Sequence, residues 1–459
     1  MTMHSSRRKV LAAGAAAGTF TIVPSSVLAQ AARKTKPTFP DKEQLPPSER
    51  LNIGFVGVGG KGRANIQGCM HHNVYALCDV DSDRGAEAFA HFTSAKQFED
   101  WRVLLDKEAK NLDGLVITTP DHNHAVITMA AMQLGLPVYT EKPLTRTISE
   151  ARMLADYARK NKIVTQMGNQ GHANADARLA VEWMQAGVLG EVKEVHCWTN
   201  RPVWPQGIVR PAAESVPSTM NWDVWLGPAP EKPYSSQIAP FKWRGFWDYG
   251  AGALGDMAAH IIDHPVWGLK LGAPLSVVVE YDRENPASAK DTFPVSSTVT
   301  FEFAARGDLP PVTLKWFDGK NKPPRPEALE PERNLFTSGT IYYGSKYCMM
   351  QDCYGKSPRI FPETEMQQVA RAKQLPPKTI PRSPGHYEEW LQAAKANDPS
   401  LAKSGFDYSG PLTETMLLGC VAARVGSGTK LTWNSKAMKT DNEVANRYIH
   451  HEYRKGWSL

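Results

Sequence analysis

Apolar and polar positions change period twice along this chain. From residue 51 onward, short apolar runs alternate with stretches of helical period. The pattern predicts strands over 51–56 and 74–78 and helices over 61–70, 84–92 and 101–110, with Leu104 and Leu105 on the apolar side of the last. A third clear strand, 115–118, is stopped by Pro120. Helix 124–134 ends at Gly135, strand 138–140 follows, helix 149–160 has Ser149 as its N-cap, and strand 163–167 closes the series. Alternation at this spacing predicts an α/β domain over 50–170, built on a parallel, doubly wound sheet.

Past residue 171 the character differs. One more helix is expected over 174–186. Strands over 192–199, 276–281, 296–303 and 312–316 alternate residue by residue, as in an antiparallel sheet with one covered face. Pro-rich loops, 200–245 and 318–338, separate them; loops that long are usually functional or disordered. Helices return over 386–396 and 412–425. Residues 171–459 therefore read as an α+β substrate-binding domain. No internal repeat is found.

Composition narrows the class. The 459 residues are 42% hydrophobic and 22% charged, in the range of a globular protein of two or three domains. Residues 1–29 read as a twin-arginine signal peptide: Ser6-Arg7-Arg8-Lys9-Val10-Leu11, a weakly apolar stretch over 11–23, then Val27-Leu28-Ala29 for cleavage. That stretch is short of the ~20 residues of a membrane span, so a periplasmic or otherwise exported protein with no span is expected. Residues 30–49, rich in Lys, Pro and Gln, read as a linker. Of the formal charge of +6, Arg7, Arg8 and Lys9 supply 3, leaving +3, and no basic stripe argues for nucleic acid. The six cysteines are scattered without a C-x-x-C pair, so neither a disulfide framework nor a metal site is expected; His122 with His124, and Asp256 with His260 and His264, are the conceivable metal clasps.

Two segments carry chemistry. Gly57-Val58-Gly59-Gly60-Lys61-Gly62 follows a strand and opens a helix, and Asp79 ends the next strand about twenty positions later. Gly57 permits a tight turn, Gly59 lets the backbone approach a pyrophosphate on the helix N-terminus, and Gly62 allows close helix–strand packing. Asp79 suits the ribose hydroxyls, so NAD is favoured over NADP, for which Lys61, Arg63 and Arg84 speak. On the same sheet edge lie Thr119, Pro120 and His124, then Glu141-Lys142-Pro143, then Asn169-Gln170-Gly171-His172.

With these segments in place the chain resembles the glucose–fructose oxidoreductase / inositol 2-dehydrogenase (Gfo/Idh/MocA) family, from about residue 51 to the C-terminus. The resemblance implies a Rossmann domain followed by an α+β domain with a large open, mostly antiparallel sheet. It implies that Lys142 reaches substrate and nicotinamide, often with a cis bond before Pro143, and that pairing through the open sheet makes homo-oligomers. Gly255-Asp256-Met257-Ala258-Ala259-His260 matches the family's Asp-x-x-x-His helix, which implies that His260 faces the reacting sugar hydroxyl. The spacing puts Asp256 and His260 on one helix face.

Oxidising an alcohol requires removing the O–H proton as hydride leaves carbon. His260 has a suitable pKa, ~6.5 unperturbed, Lys142 can stabilise the developing oxygen charge, and Asp256 can hydrogen-bond the sugar or orient a partner. Trp198, Trp204, Trp222, Trp225, Trp243 and Trp247, with Arg201 and Arg244, offer stacking faces and donors, most of the tryptophans as packing and one or two as sugar contacts. The expected activity is hydride transfer between tightly bound NAD and a secondary alcohol of a sugar, cyclitol or glycoside. The alternative is an NAD-dependent glycosidase working by transient oxidation, elimination and re-reduction. Exported N-acetylgalactosaminidases of the family carry Thr-Pro-Trp where this chain has Thr119-Pro120-Asp121.

Overall fold

The computed structural model describes residues 39–282 and 285–459; residues 1–29, where a leader is expected, and the first part of the 30–49 segment lie outside them. Six strands, β1 (Asn52–Val56), β2 (Asn73–Cys78), β3 (Lys96–Phe98), β4 (Gly114–Ile117), β5 (Val138–Thr140) and β6 (Thr165–Met167), form a parallel sheet in the order β3-β2-β1-β4-β5-β6. Ile53, Phe55, Leu115, Val116 and Ile117 are buried on both faces, as a sheet between two helical layers requires. The strand order reverses between β1 and β4, which places a ligand crevice beyond their C-terminal ends. Edge strand β3 has no apolar run and was not expected.

Helix starts differ from expectation, the expected 124–134 helix among them, which begins at Asp121. Helix Ser82–His91 begins earlier, with Asp81 as N-cap accepting from Asp83 N–H at 3.1 Å. The N-cap of Ile148–Asn161 is Thr147, not Ser149: Thr147 N–H donates to Glu150 Oε2 at 2.9 Å in a reciprocal capping box.

The second sheet has nine strands: β7 (Val192–Trp198), β8 (Ser276–Glu280), β9 (Thr298–Phe303), β10 (Val312–Phe317), β11 (Gly339–Gly344), β12 (Cys348–Asp352), β13 (Arg359–Phe361), β14 (Leu431–Asn434) and β15 (Lys439–Thr440). Their order is β13-β12-β11-β7-β10-β9-β8-β14-β15. Only β7 and β10 run parallel to each other; the other pairs are antiparallel. Burial alternates along β9, so one face is covered. Helix Phe406–Val425 does the covering, packing at once on β8, on helix Gly252–Ile261 and on helix Ile148–Asn161. It starts ahead of the expected 412 and carries Pro411 inside. Arg152 clasps Glu414 of this helix at 2.6 and 2.5 Å.

Loop 200–245 has a core of its own. Met220, Trp225, Leu226, Tyr234, Ile238 and Trp243 pack together with Phe246 and Tyr249. Backbone hydrogen bonds Ser82 N–H to Thr219 O and Asn221 N–H to Val80 O, both 2.8 Å, fasten it to the end of β2. The segment from Pro40 also hugs the first domain: Gln44 donates to Met70 O at 2.6 Å and Leu45 N–H to His71 O at 3.1 Å. All six cysteines are free thiols, and no helix among the described residues is long and apolar enough to cross a membrane.

The chain returns to the first sheet through helix His386–Ala396. Tyr387 stacks on Tyr139 of β5, the ring centroids 5.3 Å apart, and Trp390 meets the same ring edge-on. Glu389, buried, pairs with the equally buried Arg178 of helix Ala175–Gln185. Removing one partner strands the other charge away from water. Glu389→Ala is expected to lower unfolding free energy by about 3–5 kcal/mol, measured by urea denaturation; a loss near that of an exposed ion pair, ~1 kcal/mol or less, would show that water reaches Arg178.

Candidate active site

The glycine turn closes β1 and opens helix Lys61–Cys69. Gly57 has φ +82°, and a Cβ there would lie 2.7 Å from Thr118 O; a Cβ on Gly62 would lie 2.0 Å from Gly57 O. These positions exclude side chains because strand, turn and helix are in contact. Asp79 at the end of β2 fixes the turn: Oδ2 accepts N–H from Val58 at 3.0 Å and Gly59 at 3.2 Å, and Oδ1 accepts from Asp81 at 3.1 Å. Burial pushes its carboxyl above the ordinary range, and these three hydrogen bonds oppose the shift.

A cavity of about 450 Å³ runs from this turn across the ends of β4 and β5 to helix Gly252–Ile261. Gly57, Gly59, Lys61, Asp79, Thr119, Pro120, His124, Glu141, Lys142, Gln170, Asp256 and His260 all line it. Gly62 lies behind the turn, where its packing role puts it. Asn169 is the exception among the expected residues: it is buried outside the cavity lining, and its Oδ1 accepts from Ser404 Oγ at 2.6 Å. His124 lines the wall with both ring nitrogens engaged, Nδ1 2.8 Å from Pro143 O and Nε2 2.8 Å from Thr119 O. It braces the Thr119 and Lys142 segments against each other.

Lys142, before a cis peptide bond to Pro143, extends from the end of β5 to the helix of the second domain. Its Nζ donates to Asp256 Oδ1 at 2.9 Å and Asp256 O at 2.7 Å. Arg244 Nε donates to the same Oδ1 at 3.3 Å. Burial pushes the Asp256 carboxyl up, but the two cations outweigh it and hold the pKa below the ordinary value. One turn along, burial and the Lys142 ammonium drive His260 well below the usual histidine range. The imidazole is therefore neutral near pH 7. Its Nδ1 is buried without a hydrogen-bond partner, and the Tyr354 ring stands edge-on at 5.0 Å.

His264 does not extend this row. The helix ends at Ile261, and His264, on the next one, is fully buried with Nε2 3.8 Å from Asp263 Oδ2. Among the described residues no group of three or more His, Cys, Asp or Glu side chains gathers to hold a metal ion.

Asp121 is the functional candidate that sequence reasoning passed over. It is the first residue of helix Asp121–Gln133, 5% exposed, and lines the cavity. Burial pushes its pKa up to about 7; Arg244 and Lys142 lower it and Asp256 raises it. Its only sequence signal was its place directly after Thr119-Pro120. Of the six tryptophans expected near the substrate, Trp204, Trp225 and Trp243 reach the cavity, with Arg201 and Phe241 beside them. The Arg244 guanidinium lies 4.2 Å from the Trp243 ring centre and 4.9 Å from that of Phe241.

Two family models match the chain: an oxidoreductase-family NAD-binding Rossmann fold over residues 51–169 and an oxidoreductase-family C-terminal alpha/beta domain over 185–307, both of the Gfo/Idh/MocA group. The chain belongs to the Gfo/Idh/MocA oxidoreductase family. A levoglucosan dehydrogenase of Pseudarthrobacter phenanthrenivorans is 24% identical over 47% of this chain and 50% of its own length. A glycosyl hydrolase family 109 protein of Shewanella pealeana is 25% identical over 32% of this chain and 35% of its own. The chain thus spans about half the length or less of these curated relatives. In solved structures, the WlbA dehydrogenase of Bordetella pertussis in complex with NADH and UDP-GlcNAcA shares the fold with a TM-score of 0.57 and 16% identity, over 84% of this chain and 99% of that one.

The residues present fit the dinucleotide of a Gfo/Idh/MocA oxidoreductase. Along the crevice, Thr119 Oγ1 and Glu141 Oε2 are buried with no partner in the protein, the condition of groups that await a ligand. Lys61 Nζ stands 3.6 Å from Glu141 Oε1 at the mouth of the turn.

The raised pKa of Asp121 has a sign that can be measured. Its carboxyl holds a proton in the folded protein between ~4, the unfolded value, and about 7. The stability this contributes is complete below pH ~4 and is lost as pH rises through 7. Asp121→Asn is therefore expected to gain thermal stability over the wild type on going from pH 5 to pH 8, on the order of a few kcal/mol. Melting curves that stay parallel over that range would refute the shift.

Proposed function

We propose that this protein transfers a hydride between NAD and a secondary alcohol of a sugar, cyclitol or glycoside. The observation that carries the reading is the convergence of Lys142, Asp256 and His260, from two domains, on the cavity that begins at the glycine turn. When bound, the nicotinamide supplies the hydride acceptor. The neutral His260 takes the proton from the reacting hydroxyl. Lys142 donates to the same oxygen and stabilises its charge, and Asp256 fixes the ammonium in position. Trp204, Trp243 and Phe241 offer apolar faces to the C–H surface of a ring.

The twin-arginine leader complements this reading. That route carries proteins already folded around their cofactors, and free NAD is scarce outside the cytoplasm. NAD is therefore retained by the enzyme and reset by a second substrate in the same site. The family 109 relatives support a second reading, redox-neutral glycoside cleavage by oxidation, elimination and re-reduction. Nitrophenyl glycosides incubated with purified protein and no added NAD separate the two: released nitrophenol without keto-sugar means cleavage, accumulated keto-sugar means dehydrogenation.

Lys142→Ala is expected to lower turnover by roughly 10²–10³-fold while mass analysis of the denatured protein still finds NAD. Turnover at the wild-type rate would end the assignment of Lys142.

A further inference from the structure

A second cavity, of about 410 Å³, lies behind the catalytic segments. Its walls include Arg146, Arg424 and Arg447, with Trp247, Tyr448 and His451. Arg146 follows Lys142 by one short loop, and Trp247 to Ala251 lead directly into the helix that bears Asp256 and His260. Arg146 Nη1 donates to Trp247 O at 2.8 Å. Its Nε and Nη2 are buried and have no partner. Arg424 lies over the rings of Tyr448 and Trp247, 4.2 and 5.5 Å from their centres. Burial and the neighbouring Arg146 charge lower its pKa, opposed by Tyr448 and Asp248.

No carboxylate pairs with any of these three guanidiniums among the described residues. Two carboxylates also line the cavity, Asp248, held by Lys232 at 2.7 Å, and Glu452, and neither pairs with the three guanidiniums. Two cations that repel each other, with buried N–H groups unsatisfied, are costly unless an anion joins them. Guanidinium pairs recognise planar and tetrahedral oxyanions through parallel N–H donors. The cavity is many times the ~30 Å³ share of one water, and two aromatic rings line it.

We propose that this cavity binds a small oxyanion-bearing ligand, a phosphorylated or carboxylated monosaccharide, through Arg146 and Arg424, at a site separate from the catalytic cavity. The test is calorimetric titration of the NAD-loaded enzyme, whose glycine turn is already filled, with inorganic phosphate, glucose 6-phosphate, glucuronate and glucose. At least one anion is expected to bind and glucose not to; phosphate and carboxylate arms tell the two sources apart. Arg146→Gln and Arg424→Gln, each checked for native melting, should each weaken binding by roughly tenfold or more. Arg201→Gln, in the other cavity, should leave it unchanged. No anion binding, equal binding of glucose, loss in Arg201→Gln, or wild-type affinity in both Arg146→Gln and Arg424→Gln would overturn the proposal.

Discussion

The ammonium of Lys142 sits between two domains, and the protonation of the site follows from it. It leaves the C-terminal end of β5 and meets the Asp256 carboxylate and carbonyl on a helix of the second domain. That helix is buried along its length, so an isolated carboxylate there would protonate. With Lys142 and Arg244 on one oxygen, Asp256 stays ionised, while the same ammonium and the same burial keep His260 neutral. One cation thus fixes an acid group in its charged form and a base in its proton-accepting form, four residues apart.

The rest of the fold holds those partners at the required separation. Helix Phe406–Val425 lies against elements of both sheets, Arg152 ties it to the first domain, and helix His386–Ala396 seats Trp390 and Tyr387 on Tyr139. His124 links the Thr119 and Lys142 segments through two carbonyls. Loop 200–245 closes the cavity from the far side because its own buried aromatics make it a packed lobe. The segment Trp247 to Ala251 then faces two cavities: the helix it opens presents Asp256 to one, while its own residues line the arginine-rich other.

The first sheet was legible because a parallel strand buried on both faces has to be an apolar run, and four of its strands are. Strand β3 is Lys-Gln-Phe at an edge, where nothing demands apolar residues. Ser149 looked like a cap from residue type alone; the reciprocal bond of Thr147 with Glu150 decides otherwise. The glycine turn and Asp79 were readable because their constraints are steric and local. The orientation of Asn169 was not legible because the direction a side chain takes at the end of β6 depends on Ser404, far away in the chain.

By itself the sequence determined the candidate residues on which the proposed reaction rests, Lys142, Asp256 and His260, and the glycine turn, because spacing along a strand or helix is a local property. Only the tertiary structure decided their protonation: the raised carboxyl of Asp121, the lowered one of Asp256, the neutral imidazole of His260. It alone revealed that Arg146 and Arg424 share a cavity in which no carboxylate pairs with either of them among the described residues. Charge states depend on what surrounds a group after distant segments close over it, and no spacing along the chain encodes that environment.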